Sequence, residues 1–506
     1  MLTLLDSLQT SHWILLSAVT VLTSYLWLSR PKKRPLPPNT PPFPTPPTFL
    51  FGHLTQLAGN SRATMRQWRA MAGDVYSLNF RGQHYIVING YKTFKDVLVK
   101  HADKVSDPPS SFLNRILKEN NKGIAESNGE NWKEQRNVSM SILKSFGLGK
   151  NLLAEKIQNE VSSYTDELAS YQGRAVDVRI LTTVSISNII CSITVGRRFT
   201  HDDPYFVGLI NHMSRVTKYI AWLPLLTFFP FLYYVPGDLF YAKRLVASFR
   251  EINTMFSLAH IHQIKETAGG VDLQKPENFI AAYLEEMKKR QRADEPTQMD
   301  EANLVAVIRN LFIAGTDTAS AIILWCLLYL LHHPDIQSRA QEEIVASVGK
   351  GRAVCMEDKP KLPFLNAVIM ETQRISSITP FATPRAVRTG FETLGYAFPE
   401  GSIVLPNIDS VLHDEQVWAD PSVFRPDRFL DETGGLRQPE EFIPFSIGRR
   451  VCLGESMAKM ELFLFLSGIL QRFRLEAAEP GALPPLKEVY GAICCPESFK
   501  IKFVER

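Results

Sequence analysis

No Asp, Glu, Lys or Arg occurs from Ser7 to Ser29, and within that stretch Trp13–Leu28 is largely apolar. A helix of roughly 20 such residues crosses a bilayer, so residues 1–30 are predicted to be a transmembrane anchor. Arg30, Lys32, Lys33 and Arg34 follow it and only Asp6 precedes it. Because positive charge stays on the cytoplasmic side, the amino terminus is expected in the lumen and the rest of the chain in the cytosol. A cleaved signal peptide is the competing reading. The residues before the apolar run are not basic, however, and no small-x-small cleavage site precedes the basic cluster. Residues 31–47 are basic at their start and carry nine prolines. Such a run cannot continue a helix and predicts a stiff linker rather than an SH3-type ligand in this position.

In the body, Val75–Phe80 and His84–Asn89 read as strands either side of Arg81-Gly82-Gln83, a hairpin signal. From about Lys92 most segments have helical character. The longest, Asp300 to His332, is apolar on nearly every face, which predicts a helix buried through the middle of a large domain and ended by His332-His333-Pro334. Short β pieces return at Phe391–Pro399 and Tyr490–Phe503. Tyr219–Pro236 is apolar but contains three prolines, with Tyr219, Trp222, Tyr233 and Tyr234 interleaved. It predicts a loop that dips into lipid headgroups, with plain core as the alternative. The pattern predicts a mostly α chain with small β-sheets, forming a single catalytic domain over residues 48–506.

Composition narrows the functions. Of 506 residues, 45% are hydrophobic and 21% charged, enough to bury a large core, and a net charge of +4 does not mark a nucleic-acid protein. Six cysteines with no CxxC pair exclude a disulfide scaffold and disfavour a structural zinc site. The absence of G-x-G-x-x-G after a strand, of a P-loop and of G-x-S-x-G removes dinucleotide-binding, NTPase and hydrolase readings.

The informative cysteine is Cys452, in Phe445-Ser-Ile-Gly-Arg-Arg-Val-Cys-Leu-Gly454, directly before the helical run Glu455–Leu470. A helix amino end favours negative charge and activates a thiol. Gly448 and Gly454 let backbone approach a flat group, and Arg450 is placed to pair with an anion. An axial thiolate on haem iron has these requirements; a buried inert cysteine is the bland alternative.

Phe445, Gly448, Arg450, Cys452 and Gly454 match F-x-x-G-x-R-x-C-x-G, and the chain resembles a cytochrome P450 monooxygenase over essentially its whole length, in the pattern of animal microsomal enzymes that oxidise steroids, fatty acids and foreign compounds. The resemblance implies haem held by the Cys452 thiolate in the Phe445–Gly454 loop. Trp132 and Arg136 match W-x-x-x-R and, with Arg450, imply contacts to one propionate; Arg385 implies a contact to the other. Ser106-Asp-Pro-Pro-Ser110 departs from the pattern, since many relatives have an arginine there. Glu371 and Arg374 match E-x-x-R, and Arg428 supplies the third member of an implied ion network of purely structural role.

Ala314-Gly-Thr-Asp-Thr318 interrupts the long apolar helix with a glycine, an acid and hydroxyls. By resemblance it forms the oxygen-binding groove, with Asp317 and Thr318 as the implied proton relay. The Asp107–Glu126 loop, Ala314, the Ile378–Thr383 segment with Phe381, and the turn at Gly491-Ala492 imply a lipophilic substrate pocket. Implied partners are O₂, an NADPH-dependent flavoprotein reductase and cytochrome b5, with residence in the endoplasmic reticulum membrane. Asn137-Val-Ser139 fits a glycosylation sequon, but on a cytosolic body it is expected to stay unmodified. The rival readings are a haem-thiolate isomerase or dehydratase, and a non-enzymatic haem sensor or lipid-binding protein; neither needs the acid–hydroxyl pair.

Overall fold

Arg81 and Gly82 both take positive φ, 50° and 88°. That is the turn whose twist matches right-handed strands, so β1 (Val75–Phe80) and β2 (Gln83–Ile88) pair as a two-residue hairpin with Phe80 opposite Gln83. The computed structural model describes residues 35–506 except 50, 58, 120, 148–150, 201, 202, 258–260 and 262–275. The predicted anchor lies outside the described residues, as does the start of the linker.

The described residues group into two compact units, one up to residue 105 with 384–406 and one of 106–383 with 407–506. The smaller unit holds β1, β2, β3 (Arg385–Ala386), the hairpin of β4 (Phe391–Thr393) and β5 (Tyr396–Phe398), and β6 (Ile403–Pro406). Its main sheet runs β1-β2-β6-β3, with β2 and β6 parallel. Helix α1 (Ser61–Ala72) starts at Asn60, whose side chain accepts from the Ala63 amide, and buries Met65 and Trp68. The proline-rich segment is not a free spacer throughout. Ser77 donates from Oγ to the Pro41 carbonyl at 2.6 Å and from its amide to Pro42, and Ala397 donates to Asn39. Proline lacks an N–H but keeps its carbonyl, so an extended run of prolines can dress a sheet as an acceptor strip. Asn39, Pro41 and Pro42 thus pack against this unit.

The larger unit is helical. Its site is built from α2 (Gly129–Ser145), α3 (Arg179–Thr194), α4 (Pro204–Tyr219), α5 (Ala242–Phe256), α6 (Glu301–His332), α7 (Pro363–Ser376) and α8 (Glu455–Arg472). Helix α6 begins where the Asp300 carboxylate caps the Asn303 amide at 2.6 Å. It is long and apolar enough to cross a bilayer, yet Leu304, Phe312 and an unbroken run from Ala319 to Leu331 are buried in this unit, as expected of a core helix. Strands β7 (Phe473–Ala477) and β10 (Ile501–Glu505) pair antiparallel, as do β8 (Glu488–Tyr490) and β9 (Cys494–Pro496).

Residues 219–236 divide between the two readings offered for them. They form short helical turns in which Leu226 and Phe229 are core, while Trp222 and Tyr234 are exposed.

Candidate active site

The loop before α8 folds back on itself: the Val451 amide donates to Gly448 and the Cys452 amide to Phe445, each at 3.1 Å. Gly448 at φ 85° makes that turn possible, and Ser446 at φ 63° shares it. Gly454 caps α8 at φ −89°, and a Cβ there would meet no protein atom within 4 Å, so neither the turn nor protein crowding requires that glycine. Of the six cysteines Cys452 alone is exposed. Its thiol nevertheless faces a recess deep enough for burial to push its pKa up, against the pull of the Gly454 and Glu455 amides and the Arg136 charge. Burial also lifts Cys326 to about 12 and Cys495 to about 11, with no comparable set of backbone donors to oppose it.

Helix α2 brings Trp132 and Arg136 to this loop. Arg136 donates from Nη2 to the Val451 carbonyl at 2.8 Å. The Arg450 guanidinium stacks 4.1 Å from the Trp132 ring centre, a cation–π contact. Arg450 donates to the Ile124 and Ser127 carbonyls at 3.0 and 2.7 Å and comes within 3.8 Å of Asp107. The expected anion partner of Arg450 is thus supplemented from within the chain, by the loop that lacks the usual arginine. Among the described residues the Trp132 Nε1 proton is buried without an acceptor, which a protein interior disfavours. An unmet indole donor, two guanidinium groups and a recessed thiol with amides aimed at it suit a flat, anionic, thiolate-ligated group. Arg385 belongs to the smaller unit, where burial pushes its pKa down to about 10.

At the centre of α6 the Thr318 hydroxyl donates to the Ala314 carbonyl at 2.7 Å, the i−4 bond expected of threonine in a helix. Gly315 has a packing cause: a Cβ there would lie 2.5 Å from Ile190 of α3 and 3.7 Å from Met457 of α8. Asp317 does not bond to Thr318. Consecutive helix positions point in different directions, and the Asp317 carboxyl instead accepts from Thr217 of α4. Burial raises its pKa to about 6, with the Thr217 bond acting the other way.

Ala314 and Ala492 are exposed and Phe381 is half-buried, bridged to Asn407. Cys494 of β9 donates to Ile378 at 2.8 Å and accepts from Trp325 of α6 at 3.0 Å, while a Cβ on Gly491 would come within 3.1 Å of the Thr217 carbonyl. Asn303 and Asn310, seven apart on one face of α6, receive the Gly123, Ile124 and Ala125 amides and hold the Asp107–Glu126 loop. Their polar spacing within an apolar helix is a signal present in the sequence.

Glu371 and Arg374 on α7 are fully buried rather than a surface pair. Arg374 forks onto both Glu371 oxygens at 2.7 and 2.9 Å and donates to the Leu412 and Pro421 carbonyls. Arg428 Nε and the Arg425 amide complete Glu371 at 3.0 and 2.9 Å.

A profile of the cytochrome P450 family matches residues 41–503. Cytochrome P450 2U1 of Bos taurus is 35% identical, over 97% of this chain and 93% of its own length. Cytochrome P450 2C39 of Mus musculus is 31% identical, over 98% and 99%, and the human cytochrome P450 2U1 is 32% identical, over 97% and 93%. The chain belongs to the cytochrome P450 family. It is a monooxygenase, and its cofactor is haem carried on a cysteine thiolate.

Proposed function

We propose that this enzyme inserts one oxygen atom into a lipophilic small molecule, a steroid, fatty acid or foreign compound, with NADPH electrons delivered by a flavoprotein reductase and cytochrome b5 as a second donor. The observation that carries the site assignment is the Cys452 thiol, which alone combines exposure to a recess with two helix-end amides and a guanidinium. The overall change is RH + O₂ + NADPH + H⁺ to ROH + H₂O + NADP⁺. Haem supplies dioxygen binding and its reductive cleavage; the side chains do the rest. Cys452 would hold the haem iron through its thiolate. Trp132 and Arg136 would hold one propionate together with Arg450, and Arg385 enters on the family pattern alone. Phe445, Gly448 and Gly454 shape the loop, while Glu371, Arg374 and Arg428 brace it. Ala314, Phe381 and Ala492 bound the pocket.

Asp317 and Thr318 supply the protons. A carboxyl whose pKa sits at about 6 exchanges a proton readily near neutral pH. Thr318 Oγ, already donating to Ala314, keeps lone pairs to accept one.

The test is turnover with purified reductase, NADPH and pooled lipids, steroids and foreign compounds under labelled O₂. Substrate-dependent NADPH oxidation and a product carrying one labelled oxygen are expected. Thr318→Ala should lower product per NADPH and divert electrons to hydrogen peroxide, a loss of up to about 10²-fold. An unchanged ratio would leave Thr318 a packing role. Turnover without NADPH oxidation would mean isomerase or dehydratase chemistry.

The same reading places the enzyme on the endoplasmic reticulum membrane, with residues 1–30 as anchor, the amino terminus lumenal and the catalytic body cytosolic. Exposed Trp222 and Tyr234 supply a second contact. Deleting residues 1–30 is therefore expected to weaken vesicle binding without abolishing it. Complete loss of sedimentation with vesicles would show that residues 219–236 do not contact lipid.

A further inference from the structure

The acid of the proton pair is held by a residue that no motif contains. Thr217, in the last turn of α4, donates its hydroxyl proton to Asp317 Oδ2 across 100 residues of sequence. The Thr217 carbonyl also faces Gly491, at the turn between β8 and β9, closely enough that a Cβ there would press on it. Thr217 thus joins α4 to α6 through the Asp317 carboxyl and to the β8–β9 turn through its own backbone. Resting on the monooxygenase reading above, we propose that Thr217 is a positioning residue for proton delivery: its hydrogen bond holds the Asp317 carboxyl at the α4–α6 junction and ties its protonation to the position of α4.

Among the described residues, Thr217 is the one side chain that hydrogen-bonds to Asp317. Burial raises the proton affinity of the carboxyl, Thr217 opposes it, and neither Arg215 nor Lys218 of α4 acts on it. From β9 the nearby titratable group is Cys495, which burial keeps protonated to about 11. Arg179 of α3 acts on Cys495 rather than on Asp317. A hydroxyl that donates to the ionised carboxylate stabilises the charged form. Removing it must therefore raise the pKa further and shift proton release to higher pH.

The experiment is an infrared titration of the full-length, haem-loaded protein, following the protonated-carboxyl band that disappears in Asp317→Asn. The wild-type midpoint is expected at about 6. Thr217→Val, close in shape but without the hydroxyl, should move it up by about one pH unit, and Thr217→Ser should restore it. Hydrogen peroxide released per NADPH, with reductase, should shift along the pH axis in the same direction in Thr217→Val and return in Thr217→Ser. A purely structural threonine would lower haem content without moving either midpoint. An unmoved infrared midpoint in Thr217→Val overturns the proposal, as does a moved midpoint with an unmoved peroxide profile. If Asp317→Asn itself leaves the peroxide profile intact, the relay reading fails, and the proposal falls with it for a different and separately visible reason.

Discussion

Arg374→Ala is expected to yield almost no folded, haem-loaded protein. The guanidinium is fully buried and makes four hydrogen bonds, two to Glu371 and two to the Leu412 and Pro421 carbonyls. Removing one partner of a buried pair leaves the other charge unpaired and costs about 3–5 kcal/mol. A domain's whole stability is only about 5–15 kcal/mol. Glu371 would keep Arg428 and the Arg425 amide, so collapse need not be total, but two carbonyls would lose their donor in the interior. Arg374→Lys should rescue little, because an ammonium cannot fork onto both carboxylate oxygens and reach two carbonyls at once. Haem content per polypeptide and the thermal midpoint measure this. Full haem loading with an unchanged midpoint in Arg374→Ala would show that the network braces nothing.

Much of the site was legible because its chemistry sits in short, contiguous stretches. The Cys452 loop and α8 follow from residues 445–470 alone, and the α6 boundaries follow from Asp300 and Pro334. The β1–β2 hairpin follows from a Gly-containing turn between two alternating runs. Pairings across long sequence separations were not legible. Nothing in residues 204–219 singles out Thr217 as the partner of Asp317, and adjacency in sequence suggested Thr318 instead, although neighbouring helix positions diverge. The E-x-x-R spacing is equally compatible with a solvated helix face, and only burial at α7 separates the two. The proline-rich stretch reads as spacer because proline lacks a donor. Its carbonyls, which Ser77 uses, carry no pattern that can be read along the chain.

Cys452 is approached by the Gly454 and Glu455 amides and by the Arg136 charge, which together favour a deprotonated sulfur once a cation binds it. Serine offers an oxygen at that place and histidine an imidazole, and neither gives the electron push of a thiolate. Both variants should lose oxygenation altogether, while replacement of Cys191, Cys326, Cys355, Cys494 or Cys495 should leave the ligand field unchanged. The decisive measurement is the difference spectrum of the reduced protein with and without carbon monoxide. The wild type and the five other cysteine variants should show the red-shifted Soret band of a thiolate-ligated haem, and Cys452→Ser and Cys452→His should lack it. A normal red-shifted band in either Cys452 variant would contradict the assignment.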